Sequence, residues 1–125
     1  MPQVLCVGNF RDARRKPMLE DLLAQAGRGD IFLRVVGNGI ADRAHQPNIS
    51  VHYPVWDIEI FLRYCTCTAG LYVGRTTLEG WLCGRAGYVY QPDGSKELRA
   101  PPADAAQRFS AQVVARRVEE VYQSL

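Results

Sequence analysis

The sequence lacks a long hydrophobic run, a strong excess of charge and a cysteine pattern typical of a zinc site. No apolar stretch in its 125 residues approaches the roughly 18–20 residues that a membrane-spanning helix needs, so we expect no transmembrane segment. The first three residues lead directly into an apolar strand, without the basic start and cleavage site of a signal peptide. These absences predict a cytoplasmic protein.

The overall charge is close to balanced, with a net charge of +2 at pH 7. A value this small does not indicate nucleic-acid binding, and no nucleic-acid partner is expected. The positive charge is concentrated in residues 11–16, which contain four basic residues and one acidic residue. Such a local cluster indicates either a nearby anionic ligand or a solvated loop.

The four cysteines do not have the spacing of metal ligands. Cys65-x-Cys67 is not the C-x2-C pattern of a zinc site, and neither histidine is suitably spaced from it. Disulfides are improbable in a reducing compartment. The spacing therefore predicts no bound metal. Without metal or disulfide roles, the cysteines are expected to be small buried side chains, and they are Cys6, Cys65, Cys67 and Cys83.

Short apolar runs alternate with segments of helical periodicity, in a chain with 47% hydrophobic and 22% charged residues. This composition is that of one globular domain spanning residues 1–125. The pattern predicts strands at 4–7, 31–36, 49–53, 69–73 and 87–90. It predicts helices at 17–26, 57–65, 76–83 and from about 104 onward, with a loop at 91–102.

Strands that alternate with helices predict an α/β fold of the Rossmann-like kind. We expect a parallel sheet of about five strands in the order 3-2-1-4-5, with helices on both faces. Such sheets bind ligands beyond the carboxyl ends of their strands, where the strand order reverses. That point lies between the first and fourth strands, next to loops 8–16 and 74–76.

These two loops together predict a diphosphate site. The first carries the basic cluster, and the second, Gly74-Arg75-Thr76, leads into a helix N-terminus whose amide groups favour an anion. Each element has a structural alternative. Thr76-x-x-Glu79 also matches a capping box, in which Glu79 only reaches back to the helix start, and residues 37–39 match a turn as well as a weak dinucleotide signal.

In order, these segments resemble the C-terminal, nucleotide-sugar-binding half of GT-B-fold glycosyltransferases, especially of the retaining type. Val7-Gly8 followed by Lys16 is similar to the first strand, turn and phosphate-binding basic residue of that domain. Residues 74–85, GRTTLEGWLCGR, resemble the family segment GR-x-x-LEA-x-x-x-GRP. Weaker similarities lie at 35–39, 48–51 and 109–122.

The resemblance implies a role for several side chains. Glu79 would accept hydrogen bonds from the two ribose hydroxyls of a nucleoside diphosphate sugar, and the loop containing Tyr53 and Val55 would lie near its base. No further cofactor is implied. The residues that would bind or neutralise the diphosphate are Gly8, Arg11, Arg15, Lys16, Gly74, Arg75 and Thr76.

The sequence also departs from the family pattern. Retaining members often carry two glutamates spaced E-x7-E, and the earlier position is Leu71 here. The 125 residues resemble only the donor-binding half of the family and include no counterpart of its acceptor-binding N-terminal half. The segment 91–102 is also much shorter than the one that follows this strand in the family. No general base can be assigned.

Three functions therefore remain open. The first is a glycosyltransferase donor domain that acts with an acceptor-domain partner, as part of a homo-oligomer, or as a fragment of a longer enzyme. The second is a non-catalytic module that binds a nucleotide or nucleotide sugar. The third is a Rossmann-like interaction domain without a small ligand. In it, an interface would use the aromatic residues that otherwise fit core or half-buried sheet positions, which are Trp56, Trp81, Tyr88 and Tyr90.

Overall fold

The structure, a computed structural model, describes residues 1–40, 46–52 and 58–108. Its strands form one sheet, and the helices follow the strands in the chain as the sequence predicts. The strands are β1 (Gln3–Asn9), β2 (Phe32–Asn38), β3 (Ile49–His52), β4 (Cys67–Leu71), β5 (Ala86–Tyr90) and β6 (Lys96–Arg99). The α-helices are α1 (Lys16–Gly27), α2 (Glu59–Tyr64) and α3 (Arg75–Leu82), and a short 3-10 helix, Ala13–Arg15, precedes α1.

The strand order is β3-β2-β1-β4-β5-β6, and the first five strands are parallel. This confirms the Rossmann-like α/β prediction and its 3-2-1-4-5 order. The strand order reverses between β1 and β4, which pair through Val4–Cys67, Leu5–Thr68 and Cys6–Ala69. The carboxyl ends of these two strands therefore lie side by side at one edge of the sheet.

The sixth strand corrects the prediction of a loop at 91–102. Residues 92–95 form a tight turn, in which the Gly94 N–H donates to Gln91 O and the Gln91 N–H donates to Ser95 O. Gly94 adopts a φ of 90°, which glycine accepts without strain. The chain then returns as β6, antiparallel to β5. All four side chains of β6 are exposed, so the segment has none of the apolar alternation that identifies a strand in a sequence.

Helices cover both faces of the sheet, as predicted. On one face, α1 packs its buried residues, among them Met18 and Leu22, against β1, β2 and β4. On the other face, Leu62 of α2 packs against Leu5. On that face α3 lies very close to the sheet, because a β-carbon on Gly80 would stand only 2.8 Å from Thr68 Cγ2.

The element boundaries differ from the predictions near the carboxyl end of β4. This strand begins at Cys67 and ends at Leu71, rather than spanning 69–73. It ends early because Tyr72 has a φ of 57°, which breaks the extended conformation. Helix α3 begins at Arg75, one residue earlier than predicted.

Two predicted segments lie outside the described residues. One is residues 53–57, which include Tyr53, Val55 and the predicted start of the second helix at residue 57. The other is most of the C-terminal helix, for which the structure describes a helical start at residues 105–108. Ala105 of this start packs against Leu78 and Trp81 of α3.

Candidate functional site

A crevice of about 270 Å³ opens at the carboxyl ends of β1 and β4. It lies at the predicted reversal of strand order, where ligands of open parallel sheets bind. Five residues predicted for the diphosphate site line it together, namely Gly8, Arg15, Gly74, Arg75 and Thr76. The other lining residues are Val7, Ile58, Gly70, Leu71 and Thr77.

The N-terminus of α3 forms one wall of the crevice. Gly74 is the N-cap residue, and the Leu78 N–H donates the first helical hydrogen bond to Gly74 O over 3.1 Å. The amides of Thr76 and Thr77 precede that bond, so they belong to the helix end that carries a partial positive charge. The Gly74 N–H donates to Thr77 Oγ1 over 3.3 Å and fixes the start of the helix.

Arg15 forms the facing wall, and its guanidinium lies against the backbone of β1. A β-carbon on Gly8 would clash with Arg15 Nη1 and would stand 2.9 Å from Cζ. Nη1 lies 3.5 Å from Val7 O, a long contact for a hydrogen bond. Nε is buried, and no described residue accepts a hydrogen bond from it. Since a guanidinium has five N–H donors, Arg15 has capacity left for an anion in the crevice.

Glu79 does not line the crevice, and it does not cap the helix. The structural alternative of a Thr76–Glu79 capping box is wrong, because Gly74 is the N-cap residue and the Thr77 side chain completes the cap. Glu79 is 2% exposed, and its Oε1 accepts a hydrogen bond from Arg75 Nε over 3.0 Å. It therefore orients a crevice-lining guanidinium, while its contact with a ribose stays a prediction.

The remaining basic residues of the first loop lie outside the crevice wall. Arg11 and Lys16 are exposed and are not among the lining residues. Arg14 forms an ion pair with Asp12 over 2.8 Å, and this hydrogen-bonded contact lowers the pKa of Asp12 to about 2. The one acidic residue of the loop thus offsets Arg14, so Arg15 is the loop cation that the structure brings to the crevice.

Sequence reasoning missed several residues at this site, and three of them are instructive. Thr77 and Ile58 line the crevice, and Tyr72 follows its wall residue Leu71 with a positive φ. Thr77 lies in the first turn of a helix that is preceded by a glycine. That position could have identified it as a residue of the site. Nothing in the sequence marks Tyr72, because tyrosine does not favour a positive φ. The predicted base-contact residues, Tyr53 and Val55, are outside the described residues.

The cysteines behave as buried side chains except at one position. Burial raises the pKa of Cys6 to about 12 and that of Cys67 to about 11, so both remain thiols at neutral pH. Cys65 is also buried, whereas Cys83 is exposed. Across the described residues, histidine, cysteine and acidic side chains form no group of three that could hold a metal ion. No helix in the same part of the chain has the length and apolar character needed to cross a bilayer.

Comparison with known proteins adds no assignment. No protein-family model matches the chain, and no curated protein matches it in sequence.

Proposed function

We propose that this chain is a donor-binding domain, similar to that of GT-B glycosyltransferases, which holds a nucleoside diphosphate sugar with its diphosphate in the crevice. One observation carries the proposal. Arg15 and the N-terminus of α3 line the same crevice, where the strand order reverses. A guanidinium and a helix N-terminus are two groups that recognise phosphate independently.

The size of the crevice supports a phosphate rather than a whole nucleotide inside it. Its volume of about 270 Å³ is just below the range of roughly 300–1,000 Å³ that encloses drug-sized ligands. A diphosphate would enter it, while the nucleoside and the sugar would extend past its rims. The exposed Arg11 and Lys16 would then attract the anion from outside the crevice.

Glycosyl transfer would require a second component. The donor domain would stabilise the departing diphosphate through Arg15 and the amides of Thr76 and Thr77, which act where negative charge develops. The acceptor would be bound by a partner domain or by a second copy of the chain. None of the described residues is assigned as a general base.

A non-catalytic nucleotide-sugar module is the second candidate, and Leu71 favours it. The family pattern places a sugar-contacting glutamate at this position, and here a 9% exposed leucine lines the crevice. A leucine cannot accept hydrogen bonds from sugar hydroxyls. Both candidates share the diphosphate site and differ only in turnover.

Calorimetric titration of the full chain with UDP, GDP, ADP and CDP tests the shared claim. We expect one diphosphate to bind, and Arg15→Met to weaken it about tenfold or more, because a charged hydrogen-bond donor is lost. Arg28→Met is the matched control, since Arg28 is exposed and pairs with Asp30 beyond the end of α1. Absence of binding by any diphosphate at millimolar concentration contradicts the proposal and leaves the interaction-domain hypothesis.

Glycosyl transfer separates the two candidates once a diphosphate has been identified. The matching nucleoside diphosphate sugar is incubated with the chain and a panel of sugar, lipid and peptide acceptors. Release of the diphosphate that depends on an acceptor supports the donor domain of a transferase. Tight binding without release across the panel supports the non-catalytic module.

A further inference from the structure

Tyr72 has a backbone conformation that its side chain disfavours. Its φ of 57° lies in the left-handed region, where a bulky residue is an outlier. The conformation is held in place, because the Tyr72 N–H donates to Tyr90 O over 2.9 Å. Residues kept in strained conformations cluster at ligand-binding positions, where the surrounding structure enforces them.

Tyr72 lies beside the crevice, although it is not itself one of the lining residues. It stands between Leu71, which forms part of the wall, and Gly74, the N-cap of α3. The side chains of Tyr72 and the next residue, Val73, are 43% and 38% exposed. An aromatic and an aliphatic side chain thus form an apolar surface beside a polar, cationic crevice.

The Tyr72 hydroxyl also lies within electrostatic reach of Arg14, in the loop that follows β1. The Asp12 carboxylate raises the pKa of Arg14, and the Tyr72 hydroxyl adds a smaller contribution in the same direction. Within residues 1–40, 46–52 and 58–108, the Tyr72 ring neither stacks on another aromatic ring nor has a cation over its face. Because Tyr72 is 43% exposed, part of its surface is accessible beside the crevice.

We propose that Tyr72 is the platform for the glycosyl group of the bound nucleoside diphosphate sugar. This inference rests on the proposed function, because the crevice can hold the diphosphate only if that function is correct. A sugar ring has an apolar face of C–H groups and a rim of hydroxyls. Tyrosine offers the matching pair, an apolar ring face and a polar hydroxyl.

The identity of Leu71 agrees with this assignment. Where a carboxylate would hold the sugar by hydrogen bonds, the chain has an apolar residue, followed at once by an exposed ring. Recognition of the sugar by apolar contact thus replaces recognition by charge. The positive φ of Tyr72 ends the extended conformation of β4 at this point.

The test measures affinity in matched pairs of ligands, with pyrophosphate as the probe for the crevice itself. The pairs are UDP with UDP-glucose, GDP with GDP-mannose, and ADP with ADP-glucose. The gain in affinity from diphosphate to diphosphate sugar isolates the glycosyl contact. We expect Tyr72→Gly to reduce that gain about fivefold or more, while binding of pyrophosphate and of the diphosphate stays unchanged.

Thermal unfolding of the same variant supplies a second readout. Glycine adopts the left-handed conformation without a steric penalty, so Tyr72→Gly should raise the Tm while it weakens the sugar contact. A residue with a merely structural role would lower the Tm when it is removed. The matched control is Tyr64→Ala, because Tyr64 is 73% exposed at the C-terminal end of α2, which leads to the amino end of β4.

Two results overturn the assignment of Tyr72 alone. In the first, Tyr72→Gly leaves the affinities of the diphosphate and of the diphosphate sugar both unchanged, or it lowers the Tm. In the second, it weakens the diphosphate and the diphosphate sugar equally, so the ring contacts the nucleoside instead. If neither pyrophosphate nor any diphosphate binds the wild-type chain, the proposed function fails and this inference fails with it.

Discussion

The guanidinium of Arg15 lies so close to the α-carbon of Gly8 that a β-carbon at Gly8 would stand 2.9 Å from Arg15 Cζ. The absence of a side chain at Gly8 is therefore what allows the cation to lie at the end of β1. In this position it lines the crevice together with the N-terminus of α3. The glycine and the arginine, seven residues apart in the sequence, act as one structural unit.

Gly8→Ala should weaken diphosphate binding with little loss of stability. The new methyl group would displace the guanidinium, which is the far end of a flexible side chain and can move at low cost. Calorimetry with the bound diphosphate checks the affinity, and thermal unfolding checks the fold. Gly27→Ala is the matched control, because a β-carbon there meets no atom within 4 Å. Unchanged affinity in Gly8→Ala would contradict the role of Arg15.

Arg75→Met should destabilise the fold by about 1–3 kcal/mol, because it removes a charged hydrogen bond from a buried carboxylate. Glu79 is 2% exposed and Arg75 is 22% exposed. A carboxylate left without its partner is therefore less hydrated than the guanidinium would be without the carboxylate. The double variant Arg75→Met/Glu79→Leu should recover part of the loss, because no buried charge is left behind. Urea denaturation measures both. A double variant less stable than Arg75→Met would show that Glu79 stabilises the fold independently of Arg75.

Tyr90 should control part of the stability of the chain at alkaline pH. Its hydroxyl donates to Asp21 Oδ2 over 2.6 Å, and burial together with this carboxylate raises the pKa of Tyr90 well above its ordinary value. A raised folded-state pKa stabilises the fold fully below about pH 10 and loses that contribution as the pH rises further. Tyr90→Phe should cost about 1–2 kcal/mol at pH 7. The difference in unfolding free energy between wild type and Tyr90→Phe, measured by urea denaturation, should shrink above about pH 10. A difference that stays constant would contradict the stabilising role of the Tyr90 hydroxyl.

The same network predicts an acid-dependent contribution from Asp21. Burial raises the pKa of Asp21, but hydrogen bonds from Lys96 and Tyr90 outweigh it and hold that pKa below its ordinary value. The contribution is therefore present above about pH 4 and is lost as the pH falls through the lowered value. Asp21→Asn should flatten the fall in unfolding free energy below about pH 4. If the unfolding free energy of Asp21→Asn falls with pH in parallel with that of wild type, the Asp21 network is not the source of the acid-dependent loss.

One cysteine should react rapidly in the native protein. Cys83 is exposed, while Cys6, Cys65 and Cys67 are buried, and burial raises the pKa of each of the three. A thiol-specific reagent at pH 8 should therefore modify one thiol quickly and all four after denaturation. Cys83→Ser should abolish the fast phase. Rapid modification of two or more thiols in the folded chain would contradict the burial of Cys6, Cys65 and Cys67.

Much of the sheet could be predicted from the sequence, because buried parallel strands appear as short apolar runs. Strand β1 is an example, since Val4, Leu5 and Cys6 are all fully buried. Strand β6 could not be found in this way, because its four side chains are exposed. Its only signal was the turn at 92–95, which a hairpin and a plain loop share.

The candidate site was predictable in position but not in detail. The strand order and the basic loop located the crevice, since both follow from the order of segments along the chain. The capping roles predicted for Thr76 and Glu79 depended on where α3 begins. Because the helix begins one residue earlier than predicted, the side chain that completes the cap is that of Thr77. The pair Arg75–Glu79, with the i,i+4 spacing of a helical ion pair, was the signal that would have corrected it.

A titration of the ¹⁵N-labelled chain with pyrophosphate, followed by amide chemical shifts, tests the central claim most directly. If the crevice binds a diphosphate, the amides of Thr76, Thr77 and Gly8 should shift along one saturating curve. The same amides should shift with the nucleoside diphosphate found by calorimetry. Absence of shifts at millimolar concentration, or weak shifts confined to the exposed Arg11 and Lys16, would contradict a diphosphate site in this crevice.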